Sequence, residues 1–403
     1  MINRKIKKVM KALNFALFSV VYVLSSMVYK PRKRQKKIIG FAGARFTGNL
    51  KYLYQEMAKY NNVKLFFVTG NKADIETLKK AGIDAHFYME TKSIPLFLAT
   101  NAWVTSTGYN YIPFAGLIRR IIPFYTGKRG SKWIDVWHAV EVKDIGREKS
   151  LADYDIGFVT SEFYKQYYSR RAKISDKLKI TGDSRTDPLV KKNWDKKELL
   201  EKMGIPLNRK NILYAPTWGH RKRKVFLPWQ NIEQNIEDFE EFCEENNCSF
   251  LIRMHPNWYR KNPDENKKLE DAIKKSKHIF DLSTQKYTDV QHILCITDVL
   301  ITDWSSIAND FILLNRPIIF IDAKLPVKEL ILKPEDRAGH IVRNKQEFFE
   351  KLKESVDNPK IFEEKRKILM KKLYKYLDGN SSRRCAEEII KLLENPSLNS
   401  ERT

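Results

Sequence analysis

Short apolar runs and amphipathic segments alternate along most of the chain. From residue 37 onward, apolar runs of strand length are followed by stretches whose apolar residues recur at helical spacing. Helices are predicted in this way at 49–60 and 74–81. In the first half, the runs that predict buried strands lie at 38–40, 63–69, 103–106, 134–137 and 156–160. This alternation predicts a parallel sheet with helices on both faces.

A second series of the same kind follows a polar break at 187–211. Its predicted strands lie at 212–215, 250–254, 299–302 and 317–321, with a long helix at 232–246. We therefore expect an α/β protein with two doubly wound, Rossmann-like domains that face a cleft, where ligands bind at the carboxyl ends of the strands. The expected N-terminal segment, first domain, linker, second domain and polar tail lie at 1–36, 37–190, 191–210, 211–395 and 396–403.

The N-terminal segment has a different character. Residues 12–29 are apolar and uncharged, and basic runs flank them on both sides. A stretch of this length is at the lower limit for crossing a bilayer, and the basic run that follows it opposes export. Three interpretations remain open: a short signal anchor, a helix that lies in the inner leaflet, and a buried helix with a solvated basic rim. The first two predict a hydrophobic, membrane-associating helix within 1–36.

The distribution of charge bears on the partners. The chain of 403 residues has a formal net charge of +25. Eleven of its 74 Lys and Arg residues lie in 1–40, a segment without Asp or Glu. Basic proteins bind nucleic acid, anionic lipid or anionic substrates, but this sequence has no zinc-finger spacing, RRM signature or basic heptad region. We therefore expect an anionic membrane surface as a partner, and no nucleic acid.

The cysteines and acidic residues predict no metal centre. The four cysteines are scattered and form no CxxC pair, which argues against a disulfide framework and against a cysteine-based zinc site. Asp298 and Asp303 bracket a predicted strand and therefore point to different places. We expect no protein-bound catalytic metal.

The segment at 297–321 combines two buried strands with a helix between them. The first strand ends at Asp303, and Ser305 and Ser306 follow where the helix begins. Exposed N–H groups and the helix dipole favour an anion at such a point, and the two hydroxyl groups add donors, so the segment suits a diphosphate. The alternative is that Asp303 or Ser305 only caps the helix.

Two histidines lie at predicted strand ends in different domains. His138 follows the strand at 134–137, and His255 follows the next domain's strand just before a proline. Thr217 ends a third strand and opens a basic loop. One such histidine is usually structural, but two indicate a shared cleft. Arg253 either supports a ligand there or has a structural role, because strand neighbours alternate faces.

Six short motifs follow one another along the chain. They are WHAVEVK at 137–143, GDSRTD at 182–187, LYAPTW at 213–218, RMHP at 253–256, TDWSS with NRPI at 302–318, and AGHIVRNKQEF at 338–348. Together they resemble the CDP-glycerol glycerophosphotransferase family, the teichoic acid primases and polymerases, over roughly 41–348. The chain departs from the family pattern at Ala139, Glu141, Ser184 and Trp304, where glycine, proline, proline and tyrosine are expected.

The resemblance implies a GT-B-like fold and a phosphotransferase reaction. An acceptor hydroxyl would attack the β-phosphorus of CDP-glycerol or a related CDP-polyol, and CMP would leave. The first domain would serve the acceptor and the second the nucleotide donor. The acceptor would be a lipid-linked glycan of the cell envelope, reached at the cytoplasmic face of the cell membrane. No cofactor is expected, because the CDP-polyol is a substrate.

The expected site residues combine the strand ends with this resemblance. His138 is expected to be the base that takes the proton of the acceptor hydroxyl, and His255 to contact the diphosphate or the leaving phosphate. Donor-binding residues are expected at Thr217, Arg253, Asp303, Ser305 and Ser306. Supporting roles are expected for Lys143, Arg185, Asp187 and Asp310.

Two other functions remain open at this point. A nucleotide-sugar glycosyltransferase of surface polysaccharide synthesis would share the fold, and a non-catalytic membrane-bound scaffold would retain it without the chemistry. The presence of both histidines favours an enzyme. The sequence leaves open the polyol, the acceptor and the oligomeric state, and its length fits a primase slightly better than a polymerase.

Overall fold

The computed structural model describes most of the chain and divides it into two compact units. Side chains of the first helix are described from Val9 onward, except those of Lys11 and Ala12. Trp218, in one of the motifs, lies outside the described residues. The described residues are 2–30, 35–108, 111–112, 131–144, 146–147, 151–217, 231–323 and 329–394.

The first unit comprises Met1–His138, Arg147–Arg185 and Asn380–Thr403. Its described strands form a parallel sheet with the order β3-β2-β1-β4-β5-β6-β7. The strands are β1 Lys37–Ala42, β2 Val63–Thr69, β3 Ala85–Phe87, β4 Ala102–Thr105, β5 Lys132–Asp135, β6 Ile156–Val159 and β7 Leu178–Ile180. The helices described in this unit are α1 Ile2–Val28, α2 Gly48–Met57, α3 Lys72–Lys80, α4 Ile94–Leu98, α5 Glu162–Ala172 and α15 Ser381–Glu394.

Strand β1 is apolar on both sides because both faces of this sheet are covered. Ile39 and Phe41 belong to an apolar cluster that includes residues of α2 and α15. Ile38 belongs to a second cluster, which includes residues of α1 and α4. Gly40 faces the second cluster, because a Cβ atom there would come within 2.6 Å of Phe66 and Trp103, which belong to it. Because successive side chains of a strand point to opposite faces, β1 packs against helices on both sides of the sheet, as is usual in parallel sheets.

Helix α1 has one buried face and one exposed apolar face. Phe18 and Tyr22 are buried in the second cluster of the first unit. The exposed large apolar side chains of this helix are Val9, Met10, Leu13, Leu17, Val20, Leu24, Met27 and Val28. Their spacing of three, four or seven residues places most of them along one stripe. Among the described helices, none has the length and apolar character that crossing a bilayer would require.

The second unit comprises Ala139–Gly146 and Thr186–Gly379. Its described strands also form a parallel sheet, with the order β10-β9-β8-β11-β12-β13. They are β8 Lys210–Tyr214, β9 Cys248–Ile252, β10 Ile279–Asp281, β11 Val299–Thr302, β12 Ile318–Ile321 and β13 His340–Val342. The helices described in this unit are α6 Asp187–Lys191, α7 Lys196–Met203, α8 Ile232–Glu245, α9 Pro256–Lys261, α10 Pro263–Ile273, α11 Val290–Ile296, α12 Ile307–Phe311, α13 Lys345–Asp357 and α14 Glu363–Leu373.

The expectation of two α/β domains with parallel sheets is confirmed, but the observed units differ from the expected divisions. Helix α15 was expected in the second domain, within 211–395, yet it packs against α2 in the first unit. The segment expected as a linker, 191–210, contains α7, whose Leu200 is buried. In both cases an apolar helix face decides the assignment, because it must be buried against a neighbouring element.

Candidate active site

In the first unit, the chain turns sharply after β5. Trp137 has a φ of 49°, a left-handed conformation that is uncommon for a bulky residue. The buried Asn49, at the start of α2, holds this turn: its Nδ2 donates to the carbonyls of Val136 at 2.9 Å and Trp137 at 3.2 Å. The next residue, His138, follows this turn at the carboxyl end of β5, as the sequence predicts.

A buried ion pair lies next to this turn. Arg147 donates from Nε and Nη2 to Oδ2 of Asp135 at 3.1 and 2.8 Å, and Nη2 also donates to the carbonyl of Phe158. The guanidinium lies 4.9 Å from the centre of the Trp137 ring. Asp135 and Arg147 are only 1% and 5% exposed. The pair therefore fixes both the end of β5 and the Trp137 side chain.

The hydrogen bonding of His138 selects one tautomer of the ring. Its Nδ1 lies 3.2 Å from the carbonyl oxygen of Ser106. A carbonyl only accepts, so this bond requires the hydrogen on Nδ1, and the neutral ring then carries its lone pair on Nε2. Such a ring can accept a proton at Nε2, which is the property that a general base needs.

The surroundings of His138 keep this ring neutral near pH 7. Desolvation by the surrounding protein, followed by the charge of Arg185, lowers its pKa to about 4. The carbonyl of Ser106 acts in the opposite direction, and Arg147 adds a smaller lowering effect. Because the side chain also has an exposed face, solvent weakens the desolvation, and the direction of the shift is what matters here.

Arg185 stabilises the same turn through two hydrogen bonds. Its Nη1 donates to the carbonyl of His138, and its backbone N–H donates to Oδ1 of Asn49 at 2.9 Å. Its Nε lies 3.9 Å from Asp183. The side chain is therefore placed to position His138 and to hold a positive charge near the imidazole.

In the second unit, two strand ends are joined by one carboxylate. Asp303, just after β11, is buried and accepts from the backbone N–H of Thr217 at 2.8 Å and from its hydroxyl at 2.7 Å. Thr217 follows β8, the neighbour of β11 in the sheet. These two residues thus connect the carboxyl ends of adjacent strands, which gives both a positioning role.

Ser305 and Ser306 lie where the sequence places them, but the helix that follows is short. Ser306 is the N-cap of α12, and its side chain makes no capping hydrogen bond. Oγ of Ser305 accepts weakly from the N–H of Ile307 at 3.5 Å. Because α12 has only five residues, its dipole is small. The hydroxyl and N–H groups remain available as donors at this strand end.

His255 is held in the tautomer opposite to that of His138. It is the N-cap of α9, and its Nδ1 accepts from the backbone N–H of Asn257 at 3.1 Å. The lone pair therefore lies on Nδ1, and the neutral ring carries its hydrogen on Nε2. Desolvation and then the charge of Lys143 lower the pKa of His255. This ring is suited to donate a hydrogen bond from Nε2.

Lys143 belongs to the segment Ala139–Gly146, which packs within the second unit. The segment pairs with residues near 330: Lys143 bridges Leu330, and Ile331 donates its N–H to the carbonyl of Val142 at 2.9 Å. Desolvation lowers the pKa of Lys143, and the nearby carboxylate of Asp303 raises it. The charge of Lys143 therefore acts on the pKa of His255, and the charge of Asp303 acts on the pKa of Lys143.

Three of the predicted residues lie elsewhere in the second unit. Nη1 of Arg253 donates to the carbonyls of Leu282 and Tyr287 at 2.7 and 2.8 Å, which favours the structural alternative. Asp310 is buried in α12 and accepts from Gln291 of α11 at 3.2 Å. Asp187 is buried at the start of α6.

No group of three His, Cys, Asp or Glu side chains among the described residues has the proximity that a metal ion needs. The four cysteines are buried as free thiols, and burial raises the pKa of Cys248 and Cys295 to about 11 and about 12.

Sequence reasoning missed two residues that position His138. Asn49 reaches a turn 87 residues further along the chain, and its only signal is a polar residue at the start of an apolar helix. Arg147 lies in a charged stretch of the sequence that gives no sign of a buried ion pair. Both roles depend on contacts that form only when the sheet is assembled.

The comparisons with known proteins identify the family. A family model for CDP-glycerol:poly(glycerophosphate) glycerophosphotransferase matches residues 23–391. The chain belongs to this family. The resemblance carried by the six motifs is therefore confirmed, and with it the expectation that the protein is an enzyme of the transferase class.

Relatives of this glycerophosphotransferase family member share a quarter or so of its sequence. The teichoic acid ribitol-phosphate polymerase TarL of Staphylococcus aureus (strain NCTC 8325 / PS 47) is 27% identical over 85% of this chain, which spans 60% of that protein. The teichoic acid glycerol-phosphate primase of Bacillus subtilis (strain 168) is 26% identical over 93% of this chain and 96% of its own length. The structure of the wall teichoic acid polymerase TagF matches 98% of this chain and 98% of its own, with 18% identity and a TM-score of 0.71, which confirms the fold class.

Proposed function

We propose that this chain transfers a polyol phosphate from a CDP-polyol to a hydroxyl group of a cell-envelope acceptor and releases CMP. The observation that carries this proposal is the pair of histidines at carboxyl strand ends, held in opposite tautomers. His138 offers a lone pair at Nε2, and His255 offers an N–H at the same atom. Phosphoryl transfer to a hydroxyl group is assisted by a base near the attacking hydroxyl and by a hydrogen-bond donor near the phosphoryl oxygens.

In the proposed reaction, the acceptor oxygen forms a bond with the β-phosphorus of the donor. The bond from this phosphorus to the bridging oxygen breaks, and CMP leaves with that oxygen. The proton of the acceptor hydroxyl passes to Nε2 of His138. The lowered pKa of His138 supports this role, because the base is then unprotonated at neutral pH.

The second unit is proposed to stabilise the phosphoryl oxygens. Nε2–H of His255, the ammonium group of Lys143, and the hydroxyl groups of Ser305 and Ser306 are the candidate donors. Charge developing on the phosphoryl oxygens is stabilised most by groups already oriented before the reaction. Thr217 and Asp303 are proposed to hold the strand ends that carry them.

We propose that the transferred unit is glycerol phosphate. The family description names glycerophosphate, and the glycerol-phosphate primase matches this chain over nearly its whole length. We also propose a lipid-linked glycan of the cell envelope as the acceptor, supported by relatives whose names place them in teichoic acid synthesis.

A donor panel tests this proposal. Purified protein is incubated with CDP-glycerol, CDP-ribitol and UDP-sugars in the presence of a lipid-linked glycan, and the release of CMP or UDP is measured. His138→Ala serves as the control for contaminating activity. Release of UDP alone would establish the glycosyltransferase alternative, and no release from any donor would favour the scaffold alternative.

We also propose that α1 lies in the anionic surface of the cell membrane, at its cytoplasmic face. Its exposed stripe includes Leu13, Leu17 and Leu24, and the eleven basic residues of 1–40 provide the complementary charge. A nucleotide donor is soluble in the cytoplasm, and a helix at this surface would keep the enzyme near a lipid-linked acceptor.

Vesicle sedimentation tests this location. The double variant Leu17→Gln, Leu24→Gln should bind anionic vesicles on the order of 100-fold more weakly, because two buried leucines are lost from the interface. Ile368→Gln is the matched control, since Ile368 is an exposed apolar residue on another helix. Deleting α1 is a poorer test, because Phe18 and Tyr22 fill a cluster of the first unit. Equal vesicle binding by the double variant and the control would refute the proposal.

A further inference from the structure

Arg337 is a buried arginine of the second unit that the proposed reaction does not yet use. It lies between the turn Pro334–Asp336 and β13, and only 6% of it is exposed. Its guanidinium carbon lies 3.5 Å from the centre of the Trp304 ring and 5.2 Å from that of Phe320. The side chain is therefore held flat against an aromatic surface, and its orientation is fixed.

One edge of this guanidinium has no hydrogen-bond acceptor among the described residues. Neither Nε nor Nη2 of Arg337 donates to another group, although both atoms are buried. These two nitrogens form the edge that binds carboxylates and phosphates through two parallel hydrogen bonds. Arg147 uses the same edge to hold Asp135 in the first unit. A buried donor pair without an acceptor is costly, so it calls for a specific explanation.

The carboxylates near Arg337 are engaged by other groups. Asp303 accepts from Thr217, and Asp336 accepts from Lys372 at 2.7 Å. Asp322 lies 3.3 Å from Arg343. Desolvation lowers the pKa of Arg337 to about 10, and the charges of Asp322 and Asp303 offset this only in part, so the group stays charged at pH 7. A positive charge in this place therefore favours an additional anion.

Arg337 also lines a small cavity beside the TDWSS segment. The cavity has a volume of about 30 Å³, and most of its lining is apolar. Its polar lining residues include Asp303, Ser305, Asn309, Lys333, Asp336 and Arg337. A space of this size holds a water molecule or two, or the oxygens of one phosphoryl group, but not a nucleobase or a sugar ring. The size of the cavity therefore limits what can enter to a small group.

We infer that Arg337 is a phosphoryl ligand: its Nε–Nη2 edge binds two oxygens of one phosphoryl group beside Ser305, while Trp304 holds the guanidinium in place. This inference rests on the proposed function, because it assigns a residue to the same reaction. The phosphoryl group belongs either to the diphosphate of the nucleotide donor or to a phosphate of the acceptor. Trp304 departs from the tyrosine of the family pattern, so the stacked pair is a feature of this chain.

The test compares two substitutions of Arg337 with a matched control. Arg337→Met removes the charge, Arg337→Lys keeps the charge but loses the two-nitrogen edge, and Arg343→Met removes a nearby exposed arginine. We measure the Kd of CDP by calorimetry and the KM of donor and acceptor. Loss of a charged two-bond contact should weaken binding on the order of 10- to 100-fold for Arg337→Met and less for Arg337→Lys. Arg343→Met should leave both quantities unchanged.

The pattern of effects identifies the source of the phosphoryl group. A rise in the Kd of CDP and in the donor KM assigns the group to the donor. A rise in the acceptor KM alone assigns it to the acceptor. Thermal melts are recorded for each variant, and if Arg337→Met does not fold, Arg337→Lys decides the question.

Unchanged Kd and KM values in a folded Arg337 variant would overturn the inference and leave a packing role against Trp304. An equal weakening by Arg343→Met would also overturn it, because the effect would then be one of general charge. The proposed function fails in a different way. If the unsubstituted protein binds CDP but releases no CMP from any CDP-polyol, the reaction is wrong, while the binding result for Arg337 still holds.

Discussion

The pH dependence of the reaction follows from the surroundings of His138. If this residue is the base, the rate falls as its ring becomes protonated. Desolvation and Arg185 lower its pKa, so kcat/KM for the acceptor should stay on its plateau to a lower pH than an ordinary histidine would allow. An ordinary histidine would already be mostly protonated at pH 5.5, which would make the reaction about tenfold slower there.

Substitution of Arg185 perturbs this profile in a defined direction. Arg185→Gln removes the charge that opposes protonation of the ring, so the pKa of His138 should rise, and the acid limb should move toward pH 6.5. The shift should be partial, because desolvation is the larger cause and remains. At pH 5.5, Arg185→Gln should lose more activity relative to pH 7.5 than the unsubstituted protein does, beyond any loss seen at both pH values. His255 remains a hydrogen-bond donor when protonated, so its titration does not produce such a limb.

The assay is CMP release across pH 4.5–8, with folding followed by circular dichroism at each pH. Arg171→Gln is the control, because Arg171 lies on α5 of the same unit and stacks on Tyr167. His138→Ala should lower turnover by about 100-fold or more and should flatten the acid limb. An acid limb near pH 6.5 in the unsubstituted protein, or an unshifted limb in Arg185→Gln, would refute the reasoning.

Three further predictions concern the remaining parts of the site. His255→Ala should also lower turnover severely, with a larger rise in the KM of the donor than of the acceptor, in steady-state assays of CMP release. Ser306→Ala should raise the KM of the donor more than that of the acceptor, and the reverse order would place the diphosphate elsewhere. Arg147→Met should destabilise the protein by about 3–5 kcal/mol in urea unfolding, because it leaves the buried carboxylate of Asp135 without its partner; a loss below about 1 kcal/mol would show that this carboxylate is solvated or protonated.

The sheets could be predicted from the sequence where strands are central and long enough to show a pattern. The predicted strands at 63–69 and 299–302 have the bounds of β2 and β11. The edge strands β3, β7, β10 and β13 have three residues each, too few to display a period, so they were not predicted. Helix α7 was assigned to a polar linker, although Asp195 caps its start and Gly204 ends it with a φ of 68°. These capping signals outweigh the polar composition.

The site was predictable to the extent that its residues belong to local motifs. His138, His255, Thr217, Asp303 and the two serines lie at carboxyl strand ends, as their sequence context predicts. Some of their hydrogen bonds reach backbone groups far away in the sequence, such as that from His138 to the carbonyl of Ser106. Such contacts form only when the strands are assembled into a sheet, so a local motif cannot predict them. The same holds for Arg337, whose stacking partner Trp304 lies in another motif.

The position of α15 has a consequence for folding during protein synthesis. Cys385, Ala386 and Ile389 belong to the apolar cluster on one face of the first unit's sheet. The second unit is complete once Gly379 has left the ribosome, whereas the first unit still lacks this last helix. Domains usually finish folding from the N-terminus, and here the order is reversed. While about half of the chain is being made, one face of the first sheet stays partly uncovered, and it is this face that a chaperone would have to protect.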